Sequence, residues 1–132
     1  EFGLSQAVID GHQETLEGGA ESARMILNAG GRLGMGGDYG FAWNPHGDYA
    51  KELSFFVNYV GLTPLQTITC ATKTGAEIMG RDDEFGTLEV GKWADLTVLS
   101  LDPLTTPGDA LLSGAVRMTV VDGVVRYEAE GR

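Results

Sequence analysis

The hydrophobic period of this chain changes once, at Gly80, and that single switch limits the folds open to it. Before Gly80 apolar residues recur at helical spacing, and after it they alternate. The spacing of Ala23, Ile26 and Leu27 predicts a helix over about 20–29, ended by the left-handed stop Gly30-Gly31. The first twenty residues hold only a short apolar run, Ala7-Val8-Ile9, before polar residues and Gly18-Gly19. Arg32 to Gly36 reads as a short strand broken by Gly37-Asp38-Tyr39-Gly40, with a loop through Asn44-Pro45-His46-Gly47. Tyr49, Leu53, Phe56, Val57 and Val60 then mark a helix closed by Gly61. Thr63-Pro64-Leu65-Gln66 opens another: Thr63 caps, Pro64 suits the first turn, and Gln66 completes a capping box. Leu65, Ile68, Thr72, Ala76 and Met79 form its stripe up to Gly80. Past the polar connector Arg81 to Glu84, Ala94 to Leu99 is a strand and Pro107-Gly108 punctuates a loop. Val116 to Val121 and Val124 to Tyr127 flank Asp122-Gly123, a two-residue hairpin signal.

Charge removes several functions from consideration. Nine basic against 19 acidic residues give a net charge of −10 over 132 residues, with no basic stripe, so nucleic acid is not a partner. No apolar run approaches the roughly 20 residues of a membrane span. The one cysteine, Cys70, excludes an internal disulfide and a zinc-ribbon site. It has no basic neighbour to activate it, which favours a buried structural thiol, and cytoplasm is the default compartment. The start, Glu1-Phe2-Gly3, has no initiator methionine and no signal-type run; an amino-terminal targeting region is expected to be missing. Twenty glycines are about double the ordinary share of roughly 7%, which suits many tight turns.

Four motifs, in order, resemble a known family. Gly36-Gly37-Asp38, Pro45-His46-Gly47 and Glu52-Leu53 are similar to the region around the eighth barrel strand of the amidohydrolase superfamily. Gly61 to Pro64 with Gly75-Ala76-Glu77 resembles the helix after that strand. Phe85 to Leu96 is similar to the family's G-x-L-x-x-G-x-x-A-D-L tail, and Val121 to Val125 to its final hairpin. The resemblance covers roughly residues 20 to 127 and is strongest to prolidase-like and imidazolonepropionase-like members. It implies an α/β fold class: the last strand–helix portion of a TIM-type (β/α)8 barrel over residues 1–80, then a small all-β tail segment over 81–132. It also implies a divalent metal, usually zinc, in the parent enzyme, held mainly by ligands on strands this chain lacks. None is expected on the isolated chain.

The resemblance assigns Asp38 to the strand-eight carboxylate, which ligates metal and takes a proton from the attacking water. The residue before it is usually Thr or Ser, and here it is Gly37. By spacing alone Asp38 reads as a turn aspartate satisfying loop amides, a reading that the family resemblance reverses for the parent enzyme. His46 and Tyr39 fall at the substrate mouth as substrate-binding residues, or are ordinary loop residues; Trp43 joins them as a pocket-lining or loop-pinning ring. His12 matches no metal position, and Glu52 reads as a solvated helix carboxylate, the alternative being that it hydrogen-bonds the His46 loop or favours the positive helix start.

The expected function is therefore the carboxy-terminal part of a metal-dependent amidohydrolase that cleaves amide, peptide or cyclic amide C–N bonds of a small or dipeptide-like substrate. The alternative is a non-catalytic structural fragment that folds or associates without metal. Either way the apolar helix stripes and unpaired strand edges lead us to expect a homo-oligomer.

Overall fold

The structure, a computed structural model, describes residues 5–41, 44–47, 49–107, 110 and 113–130. Trp43 and Gly108 lie outside the described residues. The chain divides into two compact units, Glu1–Leu33 and Gly34–Arg132.

The first unit is built on one helix, α1, Gln6–Asn28. It starts well before the expected residue 20, and Gly11, Gly18 and Gly19 lie inside it. Each glycine costs about 1 kcal/mol against alanine in a helix, which weakens but does not break a long segment. One-turn side-chain bonds support it: Gln6 Nε2 donates to Asp10 at 2.8 Å and Gln13 Nε2 to Glu17 at 3.0 Å. The stop falls where expected. Gly30 takes φ +79°, and the Gly31 amide donates back to the Ile26 carbonyl at 2.8 Å.

The second unit opens without a strand. No strand forms over residues 31–40, contrary to the strand expected at Arg32–Gly36. A strand exists only as part of a ladder, and the described sheet, β1-β2-β3, does not include this segment. Next comes α2, Lys51–Phe55, which runs on into a π-helical turn at Phe56–Val60. The amides of Gly61 and Leu62 both donate to the Phe56 carbonyl, and Gly61 closes the turn at φ +84°.

The capping box forms as the sequence requires: the Gln66 amide donates to Thr63 Oγ1 and the Thr63 amide to Gln66 Oε1. The helix it starts is two helices rather than one, α3 (Pro64–Ala71) and α4 (Lys73–Met79), meeting at Thr72. Thr69 and Thr72 turn their hydroxyls back onto the carbonyls of Leu65 and Ile68, a contact that bends helices. The buried positions of this unit, among the described residues, are Ser54, Thr67, Cys70, Thr74 and Ala76. All are small. Burial pushes the Cys70 thiol pKa up, in keeping with a structural rather than reactive sulfur.

The tail is a three-stranded antiparallel sheet ordered β1-β2-β3: Leu96–Leu99, Val116–Val121 and Val124–Glu128. Asp122 and Gly123 both take positive φ, +51° and +70°, which gives the turn a twist that matches its strands. Two further bonds fasten it to the foot of β1. The Asp122 amide donates to Asp95 Oδ1 at 2.7 Å, and the Gly123 amide to the Ala94 carbonyl at 3.1 Å.

Candidate active site

The Asp38 loop is closed on itself. Asn44 Nδ2 donates to the Gly37 carbonyl at 2.5 Å and to the Asp38 carbonyl at 3.3 Å. The Gly40 amide reaches the Asn44 carbonyl at 2.9 Å, and the Asn44 amide the Phe41 carbonyl at 3.0 Å. Asp38 itself is exposed and left-handed at φ +45°, a conformation that aspartate tolerates better than most residues.

The loop docks on the start of α2 through aromatic rings. Tyr39 and Tyr49 meet edge to face, with ring centroids 4.6 Å apart, and the Tyr39 hydroxyl donates to the Tyr49 carbonyl at 3.3 Å. His46 Nδ1 lies 3.1 Å from the Tyr49 hydroxyl, and its Nε2 rests over Gly40. Gly40 has φ +123°, so the close ring and the backbone both favour glycine there. Glu52 reaches back from the first turn of α2 to the side of Gly37, so it is half-buried rather than a solvated helix carboxylate. The structure thus brings Asp38, Tyr39 and His46 into one neighbourhood. His12 is exposed on α1.

Two residues of this cluster carry no signal in the sequence. Tyr49 reads there as one more apolar position on a helix stripe, yet its ring and carbonyl hold Tyr39 and its hydroxyl meets His46. Asn44 reads as a loop residue before proline. Only the closed loop reveals that its amide spans two carbonyls.

The cluster is not a metal centre by itself. Among the described residues no three His, Cys, Asp or Glu side chains converge, and zinc takes about four ligands. One carboxylate does not fit the group.

The tail motif has a structural job. Gly86, at φ +94°, lets the chain run against α4, where an added Cβ would sit 2.6 Å from the Ala76 Cβ and 3.2 Å from the Thr72 carbonyl oxygen. Arg81 grips Glu84 through Nε and Nη2, and its guanidinium carbon lies 4.9 Å from the Phe85 ring centre and 4.8 Å from that of Trp93. The hydrogen bond from Arg81 holds the Glu84 carboxyl below its usual pKa range. Lys92 Nζ donates to the Asp82 carbonyl and to Thr87 Oγ1, both at 2.6 Å. Arg81 is thus the anchor of the segment the sequence shows only as a polar connector. Beside it α3, α4 and residues 85–97 enclose an open groove lined by Leu65, Ile68, Met79, Phe85, Leu88 and Trp93.

The sequence profile of the Amidohydrolase family matches residues 9–126. The chain belongs to the amidohydrolase family. It is similar to the imidazolonepropionase of Symbiobacterium thermophilum, 34% identical over 82 residues, which cover 59% of this chain and 18% of that one. The N-substituted formamide deformylase of Arthrobacter pascens is 31% identical over 121 residues, 82% of this chain and 21% of the relative. Among solved structures, a candidate prolidase from Bifidobacterium longum superposes with a TM-score of 0.74 at 35% identity, over 83% of this chain and 26% of that chain. A Xaa-Pro dipeptidase with bound methionine gives 0.71 at 27% identity, over 83% and 25%. The amidohydrolase chain described here spans about a fifth of the length of those curated relatives.

Proposed function

We propose that this amidohydrolase segment is the carboxy-terminal part of a hydrolase that cleaves an amide, peptide or cyclic amide C–N bond of a small or dipeptide-like substrate. The family match across residues 9–126 carries the reading. The named activities of its relatives support the bond type, since a formamide deformylase and a Xaa-Pro dipeptidase both act at amide nitrogen. In this reading residues 1–80 are the barrel remnant and 81–132 the β-rich tail. The remaining barrel strands, a divalent metal such as zinc, and its other ligands belong to the rest of the enzyme. Cytoplasm remains the default compartment; no described helix is long and apolar enough to cross a membrane.

Within the chain's own residues, Asp38 is the proton acceptor. Its carboxylate takes a proton from the water that attacks the carbonyl carbon and returns it to the leaving nitrogen as the C–N bond breaks. In the complete enzyme it would also be one ligand of a metal whose other ligands the rest of the chain supplies. His46 and Tyr39 stand at the mouth, where an imidazole and a phenol can meet the polar groups of the substrate. Asp38→Asn in the complete enzyme tests the assignment: hydrolysis of an Xaa-Pro dipeptide or a formamide should be lost, and undiminished turnover would refute it.

A second reading has its own support: the chain alone is a non-catalytic unit that associates. Its large apolar side chains are open rather than buried. Leu65 is 59% exposed, Met79 61% and Leu88 78%, and every residue of β3 is exposed. Covering one such side chain contributes about 1.5–3 kcal/mol. Several together outweigh an association cost of roughly 4–15 kcal/mol. The isolated chain is therefore a homo-oligomer in this reading. Light scattering coupled to size exclusion at micromolar concentration distinguishes the outcomes, and a cooperatively folded 14.0 kDa monomer would exclude it.

A further inference from the structure

We propose that Tyr39 is a positioning residue for Asp38, whose ring forces glycine at position 37 and thereby fixes the backbone from which the Asp38 carboxylate projects. The inference deepens, and rests on, the reading of Asp38 as the proton acceptor. Its geometry is independent of that reading. A Cβ added to Gly37 would lie 2.2 Å from Tyr39 Cε2, 2.8 Å from Tyr39 Cζ and 2.8 Å from Glu52 Oε1. No side chain fits there while the ring stays where it is. The ring is held from two sides, by its edge-to-face contact with Tyr49 at 4.6 Å and by its hydroxyl bond to the Tyr49 carbonyl. Tyr49 in turn stands two residues before α2, and its carbonyl accepts from the Glu52 amide at 3.3 Å, so the ring is tied to the first turn of that helix rather than to the loop alone.

The same locality answers the departure noted in the sequence, where a hydroxyl-bearing residue was expected before Asp38. In this chain the space beside position 37 is filled by the ring of residue 39. With the Gly37 and Asp38 carbonyls both held by Asn44, the two peptide groups flanking Asp38 have little freedom, and Asp38 keeps its left-handed φ of +45°. Removing the ring frees the Gly37 peptide on one side. A displacement of about 1 Å at a reacting group costs about 10²-fold in rate, mostly in kcat.

The test uses the complete enzyme, with four variants: Tyr39→Ala, Tyr39→Phe, Gly37→Ala and the double variant Gly37→Ala/Tyr39→Ala. With an Xaa-Pro dipeptide as probe, Tyr39→Ala should lower kcat by about 10²-fold with KM changed far less. Tyr39→Phe, which keeps the ring, should recover most of that loss. Gly37→Ala should be as damaging as Tyr39→Ala in the presence of the ring but add little once the ring is gone. The carbon-13 resonance of the Asp38 carboxyl should move in Tyr39→Ala and in Gly37→Ala and stay near its wild-type place in Tyr39→Phe. An unmoved Asp38 resonance, an unchanged kcat in Tyr39→Ala, or equal damage from Gly37→Ala with and without the ring would each overturn the proposal. If the resonance moves as expected while Asp38→Asn still hydrolyses the probe, positioning stands and the proton-acceptor role falls.

Discussion

Replacing Gly86 by alanine is the sharpest test of how the tail motif holds this fold together. Two separate costs meet at that residue. Its φ of +94° lies in a region that side chains rarely adopt, which costs on the order of 1–3 kcal/mol. The new methyl would also arrive 2.6 Å from the Ala76 Cβ, 3.2 Å from the Thr72 carbonyl oxygen and 3.3 Å from the Lys73 Cα. Ala76 is 1% exposed and the other two atoms are backbone, so none of the three can swing away. Overpacking of that kind costs typically about 1–3 kcal/mol. The expected loss is therefore about 2–6 kcal/mol, a large share of the 5–15 kcal/mol that keeps a domain folded. Gly91 supplies the control. It has φ +98° but nothing within 4 Å, so Gly91→Ala should bear only the backbone cost. Equilibrium urea unfolding of both variants beside wild type measures the two losses. If Gly86→Ala and Gly91→Ala cost the same, the close approach to α4 contributes nothing and the reasoning fails.

Asp95→Ala removes the acceptor of the Asp122 amide and should cost about 0.5–1.5 kcal/mol, read as a lower urea midpoint, with faster hydrogen exchange at the Asp122 amide. Glu84 gives a pH signature. Its folded pKa lies below its unfolded value, so its contribution is present above the unfolded pKa and fades as pH falls through the folded one. Thermal melts should show wild type above Glu84→Gln at neutral pH and the two converging in acid; a gap that widens in acid would contradict the Arg81 bond as the cause.

Much of the local structure is legible in the sequence because it depends on neighbours a few residues apart. The Thr63–Gln66 capping box, the left-handed glycines at 30, 61 and 80, and the Asp122-Gly123 hairpin all form where local chemistry requires them. The errors are local preferences that were overridden. Three glycines did not stop α1, and backward bonds from threonine hydroxyls accompany the division of the helix after Thr63 into two. The strand expected at Arg32–Gly36 failed for a different reason, since a ladder needs a partner that a local pattern cannot supply.

The candidate site divides along the same line. Asp38, Tyr39 and His46 could be picked out from motif order, because they are close in sequence. That Tyr49 binds two of their side chains, that Glu52 turns back onto Gly37, and that Asn44 locks two carbonyls could not. Those contacts depend on the loop closing against α2, and spacing says nothing about which atoms then meet. The tail motif shows it most plainly. By itself the sequence of this amidohydrolase segment determined where glycine and aspartate must stand. Only the tertiary structure decided why: Gly86 makes room for Ala76 across a gap that admits no further methyl, and Asp95 receives an amide from a turn 27 residues away.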